Sequence, residues 1–302
     1  MNVRTALCVL WVIQALAGCK DKAAPSPAAK PTASALPAPV ASGLPGDPTR
    51  VSGVVNPNKE KAYQGPTAAV HGRVRASGDA PSALTKAVSG IPDECAKARD
   101  FYGYVFREGP ERALADVLVT VTGYQGYVPE SEPVRAIEAK DCTFGTRTIA
   151  LTYGQRIDVV SKDKNSYVPE LLGSQMKSQL VATPYGKGTA GLYPPAVGRY
   201  VLIDNLRLFM TAEVLVLKYA THDVTGTDGG FEIAGIPPGK ATVSVLLPAT
   251  GAVEQKEVTF KAGDNTELEF TLPFDAKKYE AALKPAASAS VAAPASSAPQ
   301  KR

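Results

Sequence analysis

Residues 223–247 constrain this chain more than any other stretch. Asp223-Val224-Thr225-Gly226-Thr227-Asp228-Gly229-Gly230-Phe231-Glu232-Ile233 reads as strand, tight turn, strand, because Asp-Gly tolerates the positive φ of a two-residue hairpin. Ile236-Pro237-Pro238-Gly239 is a second turn, in which proline presets φ and Gly239 frees it. Residues 241–247 then alternate apolar with polar, and 254–260 and 266–272 follow after a loop. Such alternation is the mark of strands with one buried face.

The same grammar runs upstream. Residues 69–74 and 116–122 alternate, 148–151 and 156–160 flank a turn at Tyr153-Gly154-Gln155, and 200–203 and 212–217 come next. Glycine and proline punctuate these runs at the spacing of a sandwich or barrel. Helix candidates are few, at 93–98 and 279–283. The expected class is all-β, as two consecutive β-sandwiches between disordered N- and C-terminal tails.

The tails are compositional. Residues 20–50 are dominated by Ala, Pro and Ser and cannot bury enough apolar surface to offset the entropy of ordering them. Where polyproline II holds, thirty such residues reach up to ~90 Å. A similar tail runs from about Lys284 to Arg302, leaving about 220 residues for folded structure.

Ahead of the first tail, Arg4 precedes an apolar run over residues 6–16, which ends in Leu16-Ala17-Gly18-Cys19. The run is too short to cross a hydrocarbon core of ~30 Å, and Lys20-Asp21 follow at once. This tetrad resembles the lipobox of bacterial lipoproteins, whose signal peptidase cuts before the cysteine and whose cysteine sulfur carries a diacylglyceryl group. The resemblance implies a signal peptide at 1–18, lipidation of Cys19, a linker over 19–66 and a lipid anchor in a bacterial membrane, the outer rather than the inner. The membrane, through this lipid, is the first expected partner.

The net charge of +4 is spread thinly, and outside Lys277-Lys278 and Lys301-Arg302 there is no dense basic run, so nucleic acid is not an expected partner. With Cys8 in the leader and Cys19 lipidated, Cys95 and Cys142 remain, in a compartment where disulfides persist. A bridge between them would contribute ~4 kcal/mol in the chain-entropy model. Two buried free thiols are the alternative. No Cys/His cluster has zinc-site spacing.

Two longer resemblances follow from the strand runs. "TGTDGGFEIAGIPPGKATVSVLLP" resembles the hairpin and IPPG turn of the carboxypeptidase regulatory-like domain, a small transthyretin-like β-sandwich, and implies such a domain over 221–274, with a low-complexity tail over 275–302. "DCTFGTRTIALTYGQRIDVVSKDKNSYVPEL", with "GRYVLIDNLRLFMTAEVLVL", resembles the cupredoxin-like domains that precede this sandwich in some bacterial secreted proteins, and implies a cupredoxin-like sandwich with N-terminal strands over 67–220. In that family a thiolate, two imidazoles and a thioether hold copper. Here the first histidine falls near Tyr167 or Val168, the cysteine near Ile203 and the second histidine near Leu206, while Met210 keeps the thioether. The expectation is a cupredoxin-like framework whose copper ligands are lost, with no cofactor and no metal.

Catalytic groups are scarce. His71 sits in a strand, and His222 precedes Asp223 at the junction of the two sandwiches. No serine lies in a GxSxG elbow. Metal binding by His222, Asp223 and Asp228 competes with the turn role of Asp228, and Glu130 and Glu132 lie in a Pro-bounded loop that reads as a solvated acidic turn. Tyrosine has the functional shape. Tyr102, Tyr104, Tyr124 and Tyr127 stand beside glycines, Tyr185 and Tyr193 lie in a Gly/Pro-rich stretch, and Tyr167 lies in the long irregular segment 161–197. Exposed tyrosines supply rigid amphipathic contact area for a sugar ring or a protein. These seven are the candidate binding surface. The expected function is non-catalytic binding or structural support in the cell envelope, toward a protein or a glycan. The rival readings are a metal-binding or electron-transfer protein with an unorthodox site, and an accessory module of a secreted hydrolase system.

Overall fold

Hydrophobic alternation sets where each strand forms, and the computed structural model, which describes residues 48–174 and 180–283, shows which strands meet. Helix α1 (Pro48–Val55) precedes strand β1 (Ala68–Gly78), and two short helices, α2 (Thr85–Val88) and α3 (Ala96–Tyr102), lead to β2 (Leu118–Thr122). Next come β3 (Val134–Ala139), β4 (Thr148–Thr152), β5 (Arg156–Ser161), β6 (Pro169–Leu172), β7 (Thr189–Leu192), β8 (Gly198–Asp204) and β9 (Arg207–Leu217). The described chain closes with β10 (His222–Val224), β11 (Gly230–Ile236), β12 (Gly239–Leu247), β13 (Ala252–Phe260), β14 (Asn265–Phe274) and α4 (Ala276–Leu283). The signal peptide, Cys19, most of the linker and the tail beyond residue 283 lie outside the described residues. No helix among the described residues is long and apolar enough to cross a membrane.

The strands make four sheets, and the protein is predominantly β. Sheets β3-β5-β7 and β4-β9-β8-β6 enclose one core, in which Phe144, Ile149, Leu151, Ile157, Leu202, Met210 and Val214 are buried. Sheets β11-β1-β14 and β10-β2-β12-β13 enclose the other, around Val70, Val74, Val119, Val121, Phe231, Val243, Phe260 and Phe270. Each is a sandwich of two sheets with side chains interdigitating between them.

The allocation of strands corrects the expected boundaries of 67–220 and 221–274. β1 lies between β11, antiparallel, and β14, parallel in a register running from Ala69↔Asn265 to Gly78↔Phe274. β2 lies between β10 and β12. Two strands expected in the first sandwich therefore complete the second, and β3–β9 form an insertion between them. The physical reason is that β10–β14 alone leave a gap in each sheet. β1 fills one with Val70, Val74 and Ala76, and β2 fills the other with Val119 and Val121. Gly72 permits the β1–β14 pairing, because a Cβ there would stand 1.7 Å from the Leu268 carbonyl oxygen.

The Asp228-Gly229 turn also differs from expectation. Gly229 takes φ 71° and its N–H donates to the Gly226 carbonyl at 3.0 Å, as a tight turn requires. Yet β10 and β11 enter opposite sheets, so the turn is an arch over the core and not a hairpin. The Ile236-Pro237-Pro238-Gly239 turn likewise passes from β11 in one sheet to β12 in the other. The segment 161–197 is less irregular than its composition suggests, since it carries β6 and β7.

The sandwiches touch through Leu118, Val224 and Leu246 of the outer one and Ala150, Leu215 and Leu217 of the inserted one. Cys95, just ahead of α3, is bridged to Cys142, in the turn after β3, with Cα atoms 5.5 Å apart. The bridge holds α3 on the inserted sandwich.

Candidate functional site

The positions where the cupredoxin resemblance places copper ligands are occupied by a packed polar hub. Tyr167 is fully buried; its hydroxyl donates to Asp163 Oδ2 at 2.8 Å, and the Arg207 guanidinium lies 4.9 Å from its ring. Burial pushes the phenol up to about 12, so it stays protonated and serves as a donor. Asp204, also fully buried, accepts from the amides of Val168 at 2.7 Å and Leu206 at 3.0 Å, and Arg207 Nη1 stands 3.5 Å from it. Met210 is buried in the core, whereas Leu206 is 61 % exposed at the β8–β9 turn. A phenol, two aliphatic chains and a core thioether do not fit a copper site, which calls for a thiolate and imidazoles. Among the described residues, no cluster of three His, Cys, Asp or Glu side chains is placed to hold a metal.

The seven tyrosines of the expected surface separate. Tyr167 and Tyr102 are buried, which corrects their assignment to a surface: α3 turns Tyr102 onto Phe209, and the Asp163 network draws Tyr167 inward. Tyr104 is 49 % exposed beside Phe101 and Arg107. Tyr185 is 67 % exposed in a left-handed conformation, with φ 54°. Tyr193, half-buried, accepts a hydrogen bond from Arg156 Nη1 at 3.1 Å. Tyr124 and Tyr127 line adjoining cavities with other tyrosines.

They do so where the chain crosses between the sandwiches. Residues 123–133 lead from β2 into β3, and residues 218–221 return from β9 to β10. Between these connectors lie two adjoining cavities of about 410 and 200 Å³ that share Val55, Tyr127, Val128 and Lys218. Tyr153 lines the larger, Tyr124 and Tyr219 the smaller. Gly126, at φ 101°, lets the connector turn, and the Tyr63 ring covers it at 3.5 Å from where a Cβ would stand. Tyr124 is pinned by its hydroxyl, 2.9 Å from Thr221 Oγ1, and burial raises its pKa. Sequence reasoning missed Tyr63, Tyr153 and Tyr219, since no spacing connects residues that far apart in the chain.

The polar wall of the groove is ordered by hydrogen bonds. Glu130 accepts from Thr152 Oγ1 at 2.7 Å and from the Glu132 amide at 3.1 Å, so it is a bonded wall residue and not merely a solvated turn. Gln155 donates from Nε2 to the Glu132 carbonyl at 2.7 Å and accepts from the Thr152 amide at 2.6 Å. His222 Nε2 lies 3.3 Å from Thr152 Oγ1, and burial lowers its pKa, with Glu130 opposing that shift. Thr152 is itself buried. Asp223 accepts from the amides of Val224 and Glu232, and Asp228 from the amide of Gly230, which commits both to the arch. Glu132 and Lys218 line the larger cavity, are exposed, and form no ion pair with any described residue. The arrangement offers aromatic faces, one free carboxylate and one free ammonium.

No protein-family model matches the chain. No curated protein matches it either. Among solved structures, a reduced proline-to-phenylalanine variant of amicyanin is similar at 13 % identity over 33 % of this chain and 98 % of that one, with a TM-score of 0.25. The Cu(I) form of a methionine-to-alanine variant of amicyanin is similar at 14 % identity over the same shares, with a TM-score of 0.25. The all-β class rests on the strand pairing itself.

Proposed function

We propose that this chain is a non-catalytic protein of the bacterial cell envelope, held by a lipid on Cys19, that binds a glycan chain in the groove between its sandwiches. The observation that carries the reading is the meeting of the partly buried Tyr124, Tyr127 and Tyr219 with the unpaired Glu132 and Lys218 in adjoining cavities. Aromatic rings present an apolar face to the C–H face of a sugar, and free acceptors and donors beside them suit its hydroxyls. Crevices between domains are where such sites are usually found. The inserted sandwich is read as cupredoxin-like without copper, and the outer one as transthyretin-like.

A protein partner is the second reading. Leu206, between β8 and β9, and Leu208, near the start of β9, are 61 % and 68 % exposed, and a patch of exposed apolar groups suits a protein contact.

Binding to envelope polysaccharides, measured by glycan array and calorimetry, tests the first reading. Tyr127→Ala removes a central aromatic contact and should weaken binding about thirtyfold, the effect of losing a hot-spot tyrosine at ~2 kcal/mol. Affinity unchanged in Tyr127→Ala and in Glu132→Gln would reject the groove as the site. Leu208→Asp separates the readings, since it should abolish capture of a protein partner and leave glycan binding intact.

A further inference from the structure

The groove has a wall that does not belong to either sandwich. Helix α1 has only eight residues, too few to hold a helix alone in water. It is held by Val51, Val54 and Val55 against the inserted core, and Val51 Cγ1 comes within 2.7 Å of where a Cβ on Gly154 would stand. Gly154, at φ 107°, supplies both the turn and the space for this seat. Further on, the Tyr63 amide donates to the Tyr127 carbonyl at 2.8 Å, in a parallel bridge of Ala62 with Tyr127. Between these two points Asn56 closes a local turn, accepting from the Glu60 amide at 2.9 Å and donating to its carbonyl at 2.8 Å. Val51 and Val55 line the larger cavity, so the segment is a side of the groove. The Ala/Pro/Ser stretch of the chain joins it directly at Pro48.

We propose that residues 48–63 form a strap that closes one side of the groove, and that drawing the tether away from the body lifts the strap and opens the groove. This rests on the reading of anchor and groove given above. The contacts seen at the two pins, three valines at one and a main-chain bridge with the Tyr63 ring over Gly126 at the other, are few beside two large cores. A pull from the N-terminal side reaches α1 before any other described element. Once Val51 leaves Gly154 the short helix loses its closest contact with the inserted sandwich, and the seat of Val54 and Val55 is weakened with it. Coupling is reciprocal, so a ligand resting on Val51 and Val55 holds the strap down.

The test needs no ligand. In the full chain held by tags at its two ends, force spectroscopy should show an early reversible extension before either sandwich unfolds. The sixteen residues 48–63 set its upper bound at about 55 Å. Val51→Cys with Gly154→Cys provides a lock, since Val51 Cβ lies 3.7 Å from the ideal Cβ position at 154, within the range of ~3.5–4.5 Å for disulfides. The step should vanish in the oxidised lock and return on reduction. Val51→Asp serves where cysteine at the left-handed position 154 prevents folding. It should speed tryptic cleavage after Lys59 and Lys61 at least tenfold and raise nitration of Tyr127 severalfold, with Tyr185 unchanged as an exposed control. Absence of the early step, or a step that survives the oxidised lock, overturns the strap. Faster cleavage without added nitration of Tyr127 overturns its hold on the groove. Glycan binding enters none of these outcomes, so failure of the glycan reading is seen separately.

Discussion

Asp116 is the charge on which the junction of the sandwiches depends, and replacing it tests the packing described above. Its carboxylate accepts from Arg107 Nε and Nη2, both at 2.6 Å, and from two groups of the inserted sandwich, Thr146 Oγ1 at 3.0 Å and the Arg147 amide at 2.8 Å. The Asp116 side chain is 6 % exposed and that of Arg107 18 %, so water does not replace the pair. Removing one partner of a buried ion pair costs ~3–5 kcal/mol. Asp116→Ala also strands the Arg147 amide, while the left-handed backbone at φ 65° bears a Cβ in either residue and adds little to the difference. These losses share atoms and do not add fully. We expect ~3–5 kcal/mol in all, seen as a fall of the urea midpoint by roughly 1 M or more at a slope of ~3 kcal/mol/M. Asp116→Asn keeps one acceptor and tolerates the left-handed backbone, so about half that loss should remain. The matched control is Asp141→Asn, which breaks the exposed pair with Lys97 and should cost under ~1 kcal/mol. If Asp116→Ala cost no more than Asp141→Asn, the Asp116 cluster would not be what joins the sandwiches.

Three further outcomes are expected. Burial lowers the His222 pKa below its ordinary value, so the unfolded chain takes a proton that the native one resists. Stability should therefore be full above pH ~6.5 and fall as the pH drops below it, and His222→Gln should flatten that part of the urea-midpoint profile. Replacing Cys95 and Cys142 together by alanine should cost ~4 kcal/mol by calorimetry, and peptide mapping without reductant should recover the two cysteines linked. Gly72→Ala should cost ~3 kcal/mol or more by parting β1 from β14, against no change for Gly90→Ala, whose Cβ meets nothing within 4 Å.

Most of the strand segments were legible, though β3, β6 and β7 were not, and which strands become neighbours was not. The alternation of Val70, Val74 and Ala76 reports a strand with one buried face whatever sheet it joins. Its partner β14 begins nearly two hundred residues away, at Asn265, and nothing local records that pairing. Asp-Gly marked a turn correctly, but turn chemistry sets the direction of the backbone and not whether the two strands bond to each other. Burial of Tyr102 and Tyr167 was hidden for a related reason. A tyrosine beside glycine reads as exposed until an acceptor such as Asp163 or a neighbour such as Phe209 is known to stand inside. The Cys95–Cys142 bridge was legible by counting, because few cysteines leave few pairings.

The same topology explains why the groove is where it is. An inserted domain must be entered and left, and the two connectors lie close because β2 and β10 are hydrogen-bonded neighbours, with Thr120 opposite His222. Tyr124 and Tyr127 leave from the end of β2, and Tyr219 arrives just ahead of β10, so the pairing that builds the outer sheet also gathers the aromatics. His222 then bonds back to Thr152 at the end of β4, which ties the crossing to the inserted sandwich. Had β1 and β2 belonged to the first sandwich, a single linker would have joined two consecutive domains, and no pair of connectors would have faced each other. The crevice follows from insertion, and the strap along its side follows from the chain having to pass that crevice before it reaches β1.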